Sequence, residues 1–317
     1  MKLVSYTSDS KTRIGALLPG GIIDLHGAAE EYARLTDDIG GPDITDHLPH
    51  GRMIDLLRGG ADALKTLQQA LTFFQDTAIN EVKHPAVSTE LLPLDEVTLL
   101  APVIHPGKIV CVGMNYPNPE LAGSAGAPQY PVLFLKAASS LTGHQQPIRI
   151  PRVAKEVLYE GELALVIGKP GKYINKENAF EHIAGYIIAN DVGARDLEAR
   201  TSQWTSGKIA DTFCPLGPAL VTRDEIPDPN DLLIRTTLNG LSVQHGNTSD
   251  MIFDVPFLIS YISELTTLEI GDLILTGSPK RNRGAADPRI PMHPGDVVSV
   301  EIENLGTLTN PVLAEEQ

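Results

Sequence analysis

Cysteine is nearly absent from this 317-residue chain: Cys111 and Cys214 are the only two, too few for a disulfide framework. Both lie in apolar segments, so buried, reduced thiols are expected, and with them a cytoplasmic protein. Long hydrophobic runs are missing as well. No stretch approaches the roughly 20 apolar residues of a membrane-spanning helix, and Met1-Lys2-Leu3-Val4 carries no apolar secretory core. Tryptophan occurs once, at Trp204, where packing is a commoner use than recognition. Positive charge is scarce: 25 Lys and Arg against 40 Asp and Glu leave a formal charge of −15. That balance speaks against nucleic acid or an anionic membrane as partner. A small anionic substrate would need local positive charge from a metal ion, Lys or Arg.

Several catalytic signatures are lacking too. There is no Gly-x-Gly-x-x-Gly, no Gly-Lys-Ser/Thr phosphate loop and no Gly-x-Ser-x-Gly elbow. The nine His residues show no zinc-binding spacing. His105, His144 and His245 fall near turns and read as solvated or capping groups.

The composition, 42% hydrophobic, suffices for one large or two modest domains. A division near residue 100 is expected, between a first part over 1–100 and a second over 101–317. The first part opens with strand-like runs, Lys2 to Tyr6, Arg13 to Leu18 and Ile22 to Leu25. Helical patterns follow at Arg52 to Leu57 and Ala61 to Phe74, where Leu64, Leu67, Leu71 and Phe74 share a face. The second part is strand-rich. Asn239-Gly240 between two strand patterns predicts a two-residue hairpin. Asn175 is expected to cap a short helix reaching His182, and Phe257 to Leu265 predicts another helix. Regular βαβ alternation is absent, so the expected class is mixed α/β, strand-rich, with mostly antiparallel or mixed sheet.

The most telling stretch is Leu158-Tyr159-Glu160-Gly161-Glu162, which runs into the apolar segment Leu163 to Ile167. Side chains alternate along a strand, so Glu160 and Glu162 point the same way. Two desolvated carboxylates repel, and a divalent cation relieves them, with Asp191 at the end of Tyr186 to Asn190 as a third oxygen ligand. An all-carboxylate set suits Mg²⁺ or Mn²⁺, with Ca²⁺ a further candidate. The competing account is a solvated strand face.

Seven segments in fixed order decide between them. They are Lys108 to Tyr116, Pro131 to Lys136, Tyr159 to Leu163, Asn190 to Leu197, Gly207 to Pro218, Asn247 to Phe253, and Leu275-Thr276-Gly277-Ser278-Pro279. With these the chain resembles the fumarylacetoacetate hydrolase superfamily from about Lys108 to Pro311. The resemblance implies a β-roll of mixed sheets, a smaller N-terminal α+β domain and a homodimer. It implies that Glu160, Glu162 and Asp191 hold a catalytic Mg²⁺ or Mn²⁺, that Lys208 is the active-site lysine, and that Thr276 and Gly277 contact the substrate carboxylate. Tyr116 and Arg195 join them as substrate-binding candidates. The implied substrate is a small anionic 2-oxo or 1,3-dicarbonyl acid, activated as an enolate that the cation and Lys208 stabilise.

Two departures from the family pattern stand out. Relatives follow Asn-Tyr with His-x-x-Glu, which activates water; here Pro119 and Ala122 fill those positions. Proline offers no titratable group. Seven residues after Asp191, where Gln is usual, stands Glu198, an acceptor-only anion and the candidate replacement base, whereas Glu120 reads as a solvated loop residue. Three readings follow. The first is an acylpyruvate-type hydrolase that cleaves a carbon–carbon bond. The second is a decarboxylase, keto-enol tautomerase or lyase acting on an oxaloacetate-like acid. The third is a silent metal-binding homologue. Lys280, Arg281 and Arg283 form a basic loop that could meet a second acidic group.

Overall fold

The computed structural model describes residues 1–36, 51–79, 91–117, 128–279 and 290–316. Lys280, Arg281 and Arg283 lie outside the described residues, as do Glu120 and the departure at Pro119 and Ala122.

The strand Gly161–Ile167 shows how the apolar runs are used. All seven of its residues are buried. Ala164 and Val166 enter one core cluster, and Leu163, Leu165 and Ile167 enter another. A strand covered on both faces reads as a continuous apolar run instead of an alternating one. It pairs antiparallel with Ile183–Asn190 on one side and Leu273–Leu275 on the other. The same sheet continues through Ile109–Gly113, joined parallel to Leu273–Leu275, to the edge strand Val132–Lys136. In the other direction it passes through Cys214–Thr222 to Lys2–Ser8, Lys11–Leu18 and Gly21–Asp24. The N-terminal strands thus extend the central sheet, through the pairing of Lys2 and Leu3 with Val221 and Leu220.

One face of this sheet is covered by the helices Leu25–Thr36, Met53–Arg58 and Gly60–Ile79. Helix Val255–Leu265 and a second, five-stranded sheet, built on the hairpin Leu233–Leu238 and Leu241–Asn247, cover the other. Asn239 and Gly240 both take positive φ, 52° and 80°, the conformation a two-residue hairpin turn requires. The result is the mixed, strand-rich α/β architecture of the β-roll type.

Three local expectations differ. Helix Leu25–Thr36 replaces what reads as a strand end, because Asp24 Oδ1 accepts the Gly27 N–H at 2.9 Å and starts a helix there. Asn175 precedes the short 3₁₀ helix Lys176–His182 without a side-chain capping bond. Glu160 is not in the same strand as Glu162. The extended chain breaks after Val157–Leu158, which pairs with Gly193–Ala194, and resumes at Gly161. At the break the Glu160 N–H is taken by the Asn190 side chain at 2.9 Å, and its carbonyl accepts from Asp191 N at 2.8 Å. The partner changes there, so the ladder is interrupted.

Candidate metal centre

Glu162 follows Gly161 at the start of a buried strand, and Asp191 follows Asn190 at the end of its antiparallel neighbour. Register brings them together, and the break at Glu160 turns that side chain to the same place. One oxygen from each of Glu160, Glu162 and Asp191 lies within 4.8 Å of the others. Glu162 and Asp191 are each 2% exposed. Burial, then the charges of Asp191 and Glu160, push the Glu162 carboxyl well above the ordinary range. The Gly277 N–H donates to Glu162 Oε2 at 2.8 Å, and Gly277 sits at φ +97°, where a Cβ would meet Asn115.

Lys208 ends the one-turn helix Thr205–Lys208 and enters this acidic cluster. Its ammonium donates to Glu160 Oε2 at 2.7 Å, Asp191 Oδ2 at 2.7 Å and the Asp191 carbonyl at 2.9 Å. Burial would lower its pKa, but Asp191 and Glu160 outweigh that and raise it, so the lysine is charged. Arg195 bridges Glu160 Oε1 at 2.9 Å and Glu198 Oε2 at 2.7 Å. Glu198 is 5% exposed, and its Oε1 has no hydrogen-bond partner among the described residues.

Tyr116 is buried beside Glu162, and its hydroxyl also has no partner among the described residues. Burial, then the Glu162 charge, raises its pKa. Thr276 is fully buried, with both its N–H and its hydroxyl donating to the Leu163 carbonyl. Asn115 ties the segments together: its amide donates to the carbonyls of Phe253 and Thr276, and its oxygen accepts from Phe253 N. Trp204 packs on Gly113 and edge-on to Phe134, with ring centroids 5.6 Å apart.

Sequence reasoning missed Lys136. Its ammonium donates to Asp191 Oδ1 at 2.7 Å and to the Val192 carbonyl at 3.1 Å. The signal was a lysine closing the apolar run Val132 to Leu135, which in sequence looks like any solvated strand end. Cys111 and Cys214 are buried among the same groups, and burial pushes the Cys214 thiol up to about 12. That makes it an inert thiol at neutral pH.

Four carboxylates, Glu160, Glu162, Asp191 and Glu198, thus meet three cations, Lys136, Arg195 and Lys208. The residues fit a divalent cation. The donors are all hard oxygens, the cluster carries net negative charge, and an ammonium already bridges two of the carboxylates.

Residues 108–313 match the family model described as Fumarylacetoacetate (FAA) hydrolase C-terminal. The mitochondrial oxaloacetate tautomerase of Xenopus laevis is 44% identical over 99% of this chain and 90% of its own length. The human mitochondrial oxaloacetate tautomerase FAHD2A is 44% identical over 78% of this chain and 81% of its own. Among solved structures, fumarylacetoacetate hydrolase from Exiguobacterium antarcticum is 34% identical with a TM-score of 0.76, over 99% of this chain and all of its own. Maleylpyruvate hydrolase from Sphingobium sp. SYK-6, in complex with manganese(II) and pyruvate, is 28% identical with a TM-score of 0.73, over the full length of both chains.

These relatives overturn the expectation of a cytoplasmic protein, because the curated tautomerases are mitochondrial. Reduced buried thiols do not tell one reducing compartment from another. By a family model that spans residues 108–313, and by a relative that covers 99% of its length, this chain belongs to the fumarylacetoacetate hydrolase family of enzymes.

Proposed function

We propose that this chain is a keto-enol tautomerase of oxaloacetate-like 2-oxo diacids, with Mg²⁺ or Mn²⁺ held by Glu160, Glu162 and Asp191. The observation that carries the reading is the buried Glu198 Oε1, without a partner among the described residues, in the same small cluster as Lys208. An acceptor-only oxygen beside a fixed ammonium is equipped to move a proton. Its likeness to oxaloacetate tautomerases supports the same choice.

When bound, the ion would supply Lewis acidity toward the substrate's carbonyl oxygen and make the adjacent C–H more acidic. Glu198 Oε1 accepts the proton of carbon 3 while Arg195 retains the other carboxylate oxygen. Lys208 holds positive charge beside the carbonyl oxygen as negative charge develops there. Return of the proton from Glu198 to that oxygen completes the enol: one C–H bond is broken, one O–H bond is formed, and no water is consumed. Tyr116, Arg195, Thr276 and Gly277 are proposed to position the substrate's carboxylates, and Trp204 to wall the site through its packing on Gly113.

Hydrolysis of a carbon–carbon bond in an acylpyruvate-type acid is the second reading, favoured by the likeness to maleylpyruvate hydrolase. It requires an activated water, and Pro119 and Ala122 remove the pair of side chains that the resemblance assigns to that task. The homodimer and the division at residue 100 are carried forward as proposals, tested by light scattering and by limited proteolysis.

The deciding experiment supplies oxaloacetate with Mg²⁺ or Mn²⁺ and follows enol absorbance, pyruvate and CO₂ together. Accelerated keto-enol equilibration without CO₂ is the expected result. Stoichiometric pyruvate and CO₂ would make the protein a decarboxylase, and cleavage of acylpyruvates alone would make it a hydrolase.

A further inference from the structure

Two lysines contact the same aspartate, and their surroundings differ. Lys208 Nζ touches Asp191 Oδ2 and also Glu160 Oε2, so it lies between two of the three candidate ligands. Lys136 Nζ touches Asp191 Oδ1 and no other carboxylate among the described residues; its second bond goes to the Val192 carbonyl. The Lys136 side chain is completely enclosed, at 0% exposure. It stands on the strand Val132–Lys136, in register with Ile109 of the neighbouring strand, whereas Lys208 ends a single helical turn.

We propose that Lys136 is a positioning residue that orients Asp191 for the divalent cation, while Lys208 occupies the oxygens the cation must share. This inference rests on the metal-centre reading above. An ammonium next to a cation site repels the cation, so its removal favours metal unless it also holds a ligand in place. For Lys208 the repulsive effect dominates, because it competes for Glu160 Oε2 and Asp191 Oδ2 directly. For Lys136 the orienting effect dominates. Without it, Asp191 Oδ1 is buried with no donor among the described residues, and a buried carboxylate oxygen left unsatisfied turns toward another partner. Two contacts of the same length to one side chain therefore have opposite consequences for metal binding.

The test is Mn²⁺ affinity, measured by calorimetry and by the paramagnetic resonance signal of free Mn²⁺, on full-length protein. Lys136→Met should weaken binding at least tenfold, and Lys208→Met should bind as tightly as the parent or more so. In an Asp191→Asn background the residual millimolar binding should not change when Lys136→Met is added, because the lysine acts through Asp191. If Lys136→Met does not fold, Lys136→Gln keeps a shorter donor and should show a smaller loss in the same direction. A parent that binds no Mn²⁺ overturns the metal-centre reading and this inference with it. A parent that binds Mn²⁺, with Lys136 variants that bind equally well or a Lys208→Met variant that loses as much, overturns this inference alone. A further loss on adding Lys136→Met to Asp191→Asn overturns it too.

Discussion

Arg195 grips Glu198 by one oxygen, at 2.7 Å, and leaves the other buried without a partner among the described residues. The same guanidinium reaches Glu160 at 2.9 Å. A carboxylate at this position, where the family resemblance implies a neutral Gln, adds negative charge that would repel an anionic substrate; Arg195 balances it and fixes its direction. A carboxylate held this way keeps one lone-pair set available while losing the freedom to turn.

Glu198→Gln keeps the size of the side chain and removes its capacity to accept a proton. If Glu198 is the base, turnover of oxaloacetate tautomerisation should fall about hundredfold or more. Mn²⁺ affinity should change little, because Glu198 lies outside the triad. Full turnover in this variant, followed by enol absorbance across pH, would exclude Glu198 as the base.

Much of this was legible from the chain. The buried strand Gly161–Ile167, the Asn239-Gly240 turn and helix Val255–Leu265 carry strong local signals, and the last has Asp254 accepting the Phe257 N–H at 2.8 Å as its cap. Glu160, Glu162, Asp191 and Lys208 do assemble. What sequence concealed was pairing across distance. Nothing local says that the chain changes partners at Glu160, because the interruption depends on the Asn190 side chain thirty residues on. Lys136 was equally hidden, since its burial depends on Asp191, which lies 55 residues away. The same holds for the Arg195 bridge, whose two carboxylates sit on separate segments.

Glu162 sets a pH dependence in the metal-free protein. Its folded-state carboxyl titrates above the ordinary value of about 4.5, through burial and the charges of Asp191 and Glu160. A raised carboxyl pKa means that the folded state holds the proton more tightly. That contribution to stability is complete below the ordinary carboxyl pKa and is lost as pH rises through the raised one. Glu162→Gln cannot ionise, and its amide oxygen can still accept from Gly277. The variant should therefore melt higher than the parent at neutral pH without metal, and the gap should close toward pH 4. Saturating Mn²⁺ should reverse the order, since only the parent gains the full ligand set. Thermal melts of both proteins with and without Mn²⁺ check this; an unchanged order on adding metal contradicts Glu162 as a ligand.

Gly193 offers a way to disturb Glu198, the proposed base, and the charge of Lys208 beside it without removing either side chain. A Cβ at this position would fall against Glu198 Oε1, with Lys208 Cε at 2.9 Å and Nζ at 3.1 Å. Gly193 is not among the residues with positive φ, so alanine fits the backbone and its whole effect comes from the added methyl. Both side chains would have to shift, and a base moved by about an ångström costs on the order of a hundredfold in rate. Gly193→Ala should therefore lose turnover about as severely as Glu198→Gln, with a stability loss of about 1–3 kcal/mol. Combining the two substitutions should cost far less than the product of their separate effects, because both act on the same oxygen. Steady-state rates of the two single variants and the double variant decide it: independent, multiplicative losses would place the effect of Gly193→Ala somewhere other than Glu198.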